Sequence, residues 1–365
     1  MKPCRTALPI LAITAAGAPP AWSQDAFSEA LGPKTTYGAT AVAVDPRNPE
    51  VLFAGSDLDG LFTSRDGGAS WQAVLMPGFV TSIEVDPGNP DVVYAAADAI
   101  YRSLDGGRTW HRADEAPRGP GVEFLQVNPH LPGVVYVGLS STIHRSTDSG
   151  ETWRRILQGA SMRMLSVDAR DAGTLYAAGE GLLKSTDGGD SWVPIEDGIP
   201  FQEVREEFEW GELRVTALAS DPHQSGVLTA GVTEFGTVAD PPGRIYRSTD
   251  GGDSWRMISE VGSWLTTMFV DPIHPEMVLV GSGAKGTVLG TFLSTDGGLT
   301  WGQIHDAGAR QIVDSPAGAG TYFAAMRSGG PHLGVVRIVV SGPTAVRSTG
   351  WGSLKALLAP PSSPR

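Results

Sequence analysis

One motif constrains how this chain can fold more than anything else in it: Ser-x-Asp-Gly-Gly-x-x-Trp, present six times in 365 residues. The copies open at Ser64, Ser103, Ser146, Ser185, Ser248 and Ser294 and close at Trp71, Trp110, Trp153, Trp192, Trp255 and Trp301. In the third, Ser149 stands in for the first glycine. Ahead of each lies an apolar strand ending in Asp or Asn, then a turn and a second strand. The first unit reads Val42-Ala-Val44-Asp45-Pro46, then Val51 to Gly55; counterparts begin at Ile83, Leu125, Leu165, Leu218 and Met268. A seventh, Gln311-Ile-Val-Asp314, has no intact motif after it, and Arg347 to Trp351 reads as an eroded remnant.

Each unit divides into four short strands; in the first these are Thr40–Val44, Val51–Ala54, Gly60–Ser64 and Ser70–Val74. A repeat of roughly 40–50 residues with four strands describes one blade of a β-propeller. Seven such units closing into a ring leave few exposed sheet edges. The expectation is an all-β, seven-bladed β-propeller of four-stranded blades. The motif itself reads as a fold staple. Its Asp accepts the amide hydrogens of its own turn, its glycines take φ > 0, and its Trp lays a large apolar face between sheets.

Composition agrees and excludes several functions. Gly is 47 of 365, which many tight turns would use, while charged residues are only 18%, too few for a disordered chain. The net charge of −13 disfavours nucleic acid and anionic membrane surfaces as partners. Lys2 and Arg5 precede an apolar stretch from Ala7 to Ala16 and then Ala21-Trp22-Ser23, the pattern of a secretory signal peptide cut near Ser23. The expected layout is a signal peptide at 1–23, an N-terminal lead-in at 24–36, the propeller at 37–355 and a disordered Pro/Ser-rich tail at 356–365. A secreted or periplasmic location follows, without membrane insertion and as a monomer. The one cysteine, Cys4, falls in the signal segment, so packing rather than disulfides must hold the fold.

The motif resembles the Asp-box, or bacterial neuraminidase repeat. Its six copies and upstream strands span about Thr40 to Trp351. The pattern looks like the repeats of sortilin-type domains, of xyloglucan-cleaving two-propeller endoglucanases, and of single-propeller photosystem II assembly-factor-like proteins. The resemblance implies blades with Asp-box turns, in enzymes and non-enzymes alike, so function has to be argued from the site.

The Asp-Pro turn joins strands one and two and the Asp box joins strands three and four, which puts both on one face of the ring. Loops of unusual length fall on the other face: 194–214, 232–243 and 281–290. Long loops on a rigid scaffold usually carry function. The first presents Glu207 and Trp210 and runs into Arg214, and Phe201, Val204 and Phe208 are spaced as one face of a short helix. Glu180, Arg163, Glu234 and Arg310 are placed near the same pocket mouth, where arginines suit a carboxylate or other anion. The photosystem-assembly-like relatives likewise present arginines to hold a partner protein.

Carboxylates precede strand three at Asp57, Asp59 and Asp98, and a glycosidase needs two with separated pKa values. Ala54-Gly55-Ser56-Asp57-Leu58-Asp59-Gly60 is similar to the segment that carries one catalytic aspartate in the xyloglucan-cleaving enzymes, with Asp57 in the matching place. Their second lies on a second propeller, for which no repeats occur here. The sialidase signature Arg-Ile-Pro is absent. Gly281-Ser-Gly283-Ala-Lys-Gly286 leads into another Asp box rather than a helix, so it is no dinucleotide loop. The histidines show no metal-ligand spacing, and neither metal nor cofactor is expected. The reading is a binding or assembly module for a protein segment or glycan; the alternative is a glycoside hydrolase or related carbohydrate-active enzyme.

Overall fold

The computed structural model describes residues 26–36, 38–74, 78–113, 115–117, 121–201, 212–235, 242–283, 290–316, 318, 320–326 and 334–340. Among these, 28 strands form seven four-stranded antiparallel sheets, the blades of a seven-bladed propeller. Blades one to six each use four consecutive strands; blade one is Ala39–Asp45, Asn48–Ser56, Leu61–Ser64 and Gln72–Val74. Strand one is innermost and strand four outermost. The second strands are almost wholly apolar, as in Val93–Ala96 and Leu175–Gly179, because sheets cover them on both sides.

Blade seven is closed by the other end of the chain. Its strands are Ala309–Asp314, Thr321–Met326 and Val335–Val340, and the fourth is Ala26–Gly32, paired antiparallel with Val335–Val340. Residues 24–36, expected as a lead-in, thus carry the outer strand of the last blade. Arg347 to Trp351, read as an eroded box, lies outside the described residues.

The seventh repeat is also one residue out of the expected register. In blades two to six the residue after strand one donates its amide across the turn, as Asp86 does to Val92 and Asp271 to Met277; in blade seven Ser315 donates to Thr321. Ser315 therefore holds the turn place, and Asp314 sits one residue back on the channel wall, opposite Tyr322.

All six boxes share one geometry. In the first, Ser64 Oγ donates to Asp66 Oδ1 at 2.8 Å and accepts the Gly68 amide at 2.8 Å, while Asp66 Oδ1 accepts the Ser70 amide at 2.8 Å. The second glycine is needed twice over. Gly107 has φ 77°, and a Cβ there would lie 2.2 Å from Phe53 of the preceding blade. The tryptophans occupy equivalent places between blades, but only Trp255 is fully buried, at 5% exposure; the other five are half-buried. Trp71, Trp192 and Trp255 donate Nε1 to Leu31, Ile156 and Ile195 carbonyls of the preceding blade.

A second tie was not legible in the repeats. Arg65, Arg102, Arg145 and Arg247 each donate to a box carbonyl of the next blade: Gly106, Ser149, Gly188 and Gly297. On the same face Asp86 Oδ2 accepts the Gly133 amide at 2.8 Å and Asp168 Oδ2 the Gly226 amide at 3.0 Å. The box face is thus stitched from blade to blade, which leaves the opposite face for variable loops.

Candidate functional site

Strand one starts, and strand two ends, on the face away from the boxes. Antiparallel pairing therefore brings Arg214 on Glu212–Ser220 level with Thr233 on Leu228–Phe235, and Leu213 level with Glu234. At this end of blade five the Arg214 guanidinium lies over the Phe235 ring, 5.1 Å from its centroid. Phe235 in turn meets Trp264 edge to face, with centroids 4.5 Å apart and planes at 70°. Arg244 Nη2 lies 3.5 Å from Glu234 Oε2, so the acid is paired rather than presented. All five side chains are half-buried.

Trp264 joins blade five to blade six with φ 43°, a left-handed backbone that bulky residues avoid at a cost of about 1–3 kcal/mol. The neighbourhood holds it there. Its carbonyl accepts the Gly283 amide at 3.0 Å, and the next amide, Leu265 N, donates to Thr233 Oγ1 at 3.2 Å. Gly38 and Gly121 take positive φ at the same crossover before blades one and three. Neither Phe235 nor Trp264 stood out in the sequence. Aligning the repeats on their crossovers would have found Trp264, because a tryptophan replaces a left-handed glycine there.

The remaining candidates occupy the same face but not the same cluster. Arg163 is exposed on the first strand of blade four, Met162–Val167, beside exposed Glu180, whose amide donates to Ser161. Arg310 is half-buried on the first strand of blade seven. Glu207 and Trp210 lie outside the described residues. The start of their loop does not rise as a wall: Ile195, Ile199 and Phe201 are buried in the core between blades four and five, and Trp255 N donates to Asp197.

The three aspartates differ sharply. Asp59 accepts from the Thr36 amide at 2.7 Å and from Ser56 Oγ at 3.1 Å, so it fastens the entry to blade one. Asp98 accepts from Tyr101 Oη at 2.9 Å and is exposed. Asp57 has one carboxylate oxygen shut away from solvent with no hydrogen-bond partner. A buried oxygen left without a partner costs about 1–3 kcal/mol. Its neighbours Leu58 and Phe79 are exposed apolar residues on the same face.

A cavity of about 290 Å³ opens in the central channel between the inner strands of blades seven, one and two. Glu84 and Asp314 line it. Burial pushes the Glu84 carboxyl up to about 8 against the opposing Val127 amide; the area it keeps opens into this narrow space rather than to bulk water. Burial, and then the nearby Asp271 charge, also raise Asp314. Among the described residues no group of three or more His, Cys, Asp or Glu could hold a metal ion.

Comparison with known proteins places this geometry. Residues 101–112 match the BNR/Asp-box repeat model. A xyloglucanase of Hypocrea jecorina (strain QM6a) is 28% identical over 143 residues, 36% of this chain and 16% of that protein. An ancestral GH74 enzyme superposes with TM-score 0.66 at 18% identity, covering 84% of this chain and 47% of its own. YCF48 bound to D1 peptide superposes with TM-score 0.59 at 17% identity, covering 88% and 98%. The chain thus spans about half or less of the glycosidases it matches and almost the whole length of the YCF48 propeller. The chain is a seven-bladed β-propeller that carries a BNR/Asp-box repeat and shares its fold with GH74 enzymes and with YCF48.

Proposed function

We propose that this protein is a secreted or periplasmic binding module that holds a protein segment or a glycan on the face opposite the Asp boxes. The observation that carries this is the Arg214–Phe235–Trp264 stack, kept in place by a left-handed Trp264. A strained residue persists only where its surroundings over-determine it, and such residues gather at ligand sites. The stack offers what recognition of either ligand needs: aromatic surface for apolar faces and a pre-oriented guanidinium for a carboxylate or hydroxyls. The likeness in fold to YCF48 bound to D1 peptide supports a propeller that holds a protein segment.

The test is an array of glycans and peptides read by tryptophan fluorescence. Trp264→Ala should weaken the best hit at least tenfold with little loss of secondary structure. Hits that bind Trp264→Ala and Arg214→Ala as tightly as the parent would end this reading.

A second reading, glycoside hydrolysis, is favoured by one observation, the unpartnered buried oxygen of Asp57. Hydrolysis should be followed on every glycan that binds. Turnover lost in Asp57→Asn with affinity kept would establish the enzyme; no turnover on any bound glycan would leave the binding module.

A further inference from the structure

The outer rim of blades two and three carries positive charge that the fold does not use. On blade two, His111 is the register partner of Arg102, whose guanidinium reaches Ser149 and Glu151 of blade three; His111 therefore shares the side of the sheet that faces blade three. On blade three, Arg154 and its partner Arg145 both reach Asp190 of blade four. Side chains alternate along a strand, so Arg155, opposite His144, points back toward blade two. The notch between the two rims is walled by His111 on one side and by Arg155 and His144 on the other, with Trp153 at its base.

Arg155 and His111 are exposed, and among the described residues neither side chain makes a hydrogen bond or ion pair. Burial, followed by the Arg155 charge, lowers the His144 ring from its ordinary value. In a chain of net charge −13, an exposed arginine with no carboxylate partner among the described residues is out of keeping with the rest of the surface.

The backbone beside it is also free. Blade three ends in Arg154–Gln158, a five-residue strand whose outer edge pairs with no other described strand; its neighbours on blades two and four, His111–Arg112 and Val193–Pro194, are two residues each, and only blades five and seven have longer outer strands among the described residues. Arginines on an edge repel neutral and basic strands, and by the same charge they select acidic ones. We propose that the edge of blade three is a docking strip for an extended acidic protein segment. The segment adds as a fifth strand and places carboxylates at alternate positions against Arg155 and His111. Strand addition supplies the backbone hydrogen bonds, and the alternation supplies the choice of partner. This surface is separate from the Trp264 face, so the two proposals stand or fall independently.

The experiment uses the full-length protein and a fluorescein-labelled Thr-Glu alternating decapeptide, read by anisotropy. Saturable binding that falls at least tenfold in Arg155→Glu and Arg155→Ala is expected. Arg256→Glu, the same charge change on the outer strand of blade five, should leave it unchanged. N-methylation of alternate backbone amides should abolish binding, because it removes the donors a fifth strand needs. The proposal is overturned if the peptide fails to bind up to about 1 mM, or if the N-methylated peptide binds equally well. It is equally overturned if a galacturonate oligomer binds more tightly with the same dependence on Arg155, which would make the notch a site for acidic glycans.

Discussion

Arg145 leaves its own blade to place Nη1 2.7 Å from the carbonyl oxygen of Gly188, inside the Asp box of the next blade. The same guanidinium lies 3.5 Å from Asp190. Arg65, Arg102 and Arg247 repeat the reach into their own next boxes. The boxes are therefore sockets between blades as well as turns within them.

Removing one such reach leaves a box carbonyl short of its charged donor. Arg145→Ala should destabilise by about 1.5–3 kcal/mol, the range for hydrogen bonds to charged groups. Arg155→Ala, exposed on the next strand, should stay within about 0.5 kcal/mol. Urea unfolding of both variants checks the contrast; equal midpoints would show that the reach contributes nothing.

Among the tryptophans, burial ranks the cost. Trp255 is buried and donates to the Ile195 carbonyl at 2.8 Å, so Trp255→Ala should lose about 3–5 kcal/mol. Trp153 is half-buried and bonds within its own box, and Trp153→Ala should lose clearly less. Thermal melts of the pair measure the order, and a reversed order would mean that burial is not what the motif tryptophan supplies.

The boxes also set an acid limit. The Thr152 hydroxyl and amide, then Ser146, hold Asp148 at about 2; Ser254 and Ser248 do the same for Asp250. A carboxylate depressed in the folded state leaves the unfolded chain binding more protons between the two values. Stability from these groups is thus fully present above about pH 4 and is lost as pH falls toward 2. Circular dichroism against pH should show unfolding in that window, and Thr152→Val should move it upward.

Glu84 works in the opposite sense. With its folded value near 8, the folded state keeps a proton that the unfolded chain gives up above about pH 4.5. Its favourable contribution is complete below that point and fades as pH rises through 8. Glu84→Gln should flatten the stability profile between pH 5 and 8 and raise the melting temperature most at the alkaline end, as a pH series of melts would show.

Six copies of Ser-x-Asp-Gly-Gly-x-x-Trp, with a seventh upstream strand at Gln311 to Asp314, announced the seven-bladed architecture, because each box fixes its own turn by bonds two to four residues apart. The upstream Asp-Pro turns likewise announced the face on which the boxes lie. What was not local was not legible. The fourth strand of blade seven comes from Ala26–Gly32, about three hundred residues from its partner, and no period in the sequence links the two. Asp314 ends its strand as the repeat led one to expect, but only the Ser315 amide donating to Thr321 shows that Ser315, not Asp314, takes the place of the Asp in the other repeats.

The candidate site divides the same way. Arg214 and Glu234 were visible as charges near long loops, but the sequence could not show that Glu234 is spent on Arg244 or that Arg214 stacks on Phe235. Asp57 and Asp59 looked alike two residues apart. Folding gave one of them to Thr36 and Ser56 and left an oxygen of the other buried without a partner. Local spacing fixes turns and strands; which polar group is satisfied depends on what distant blades bring to it, and only the closed ring decides that.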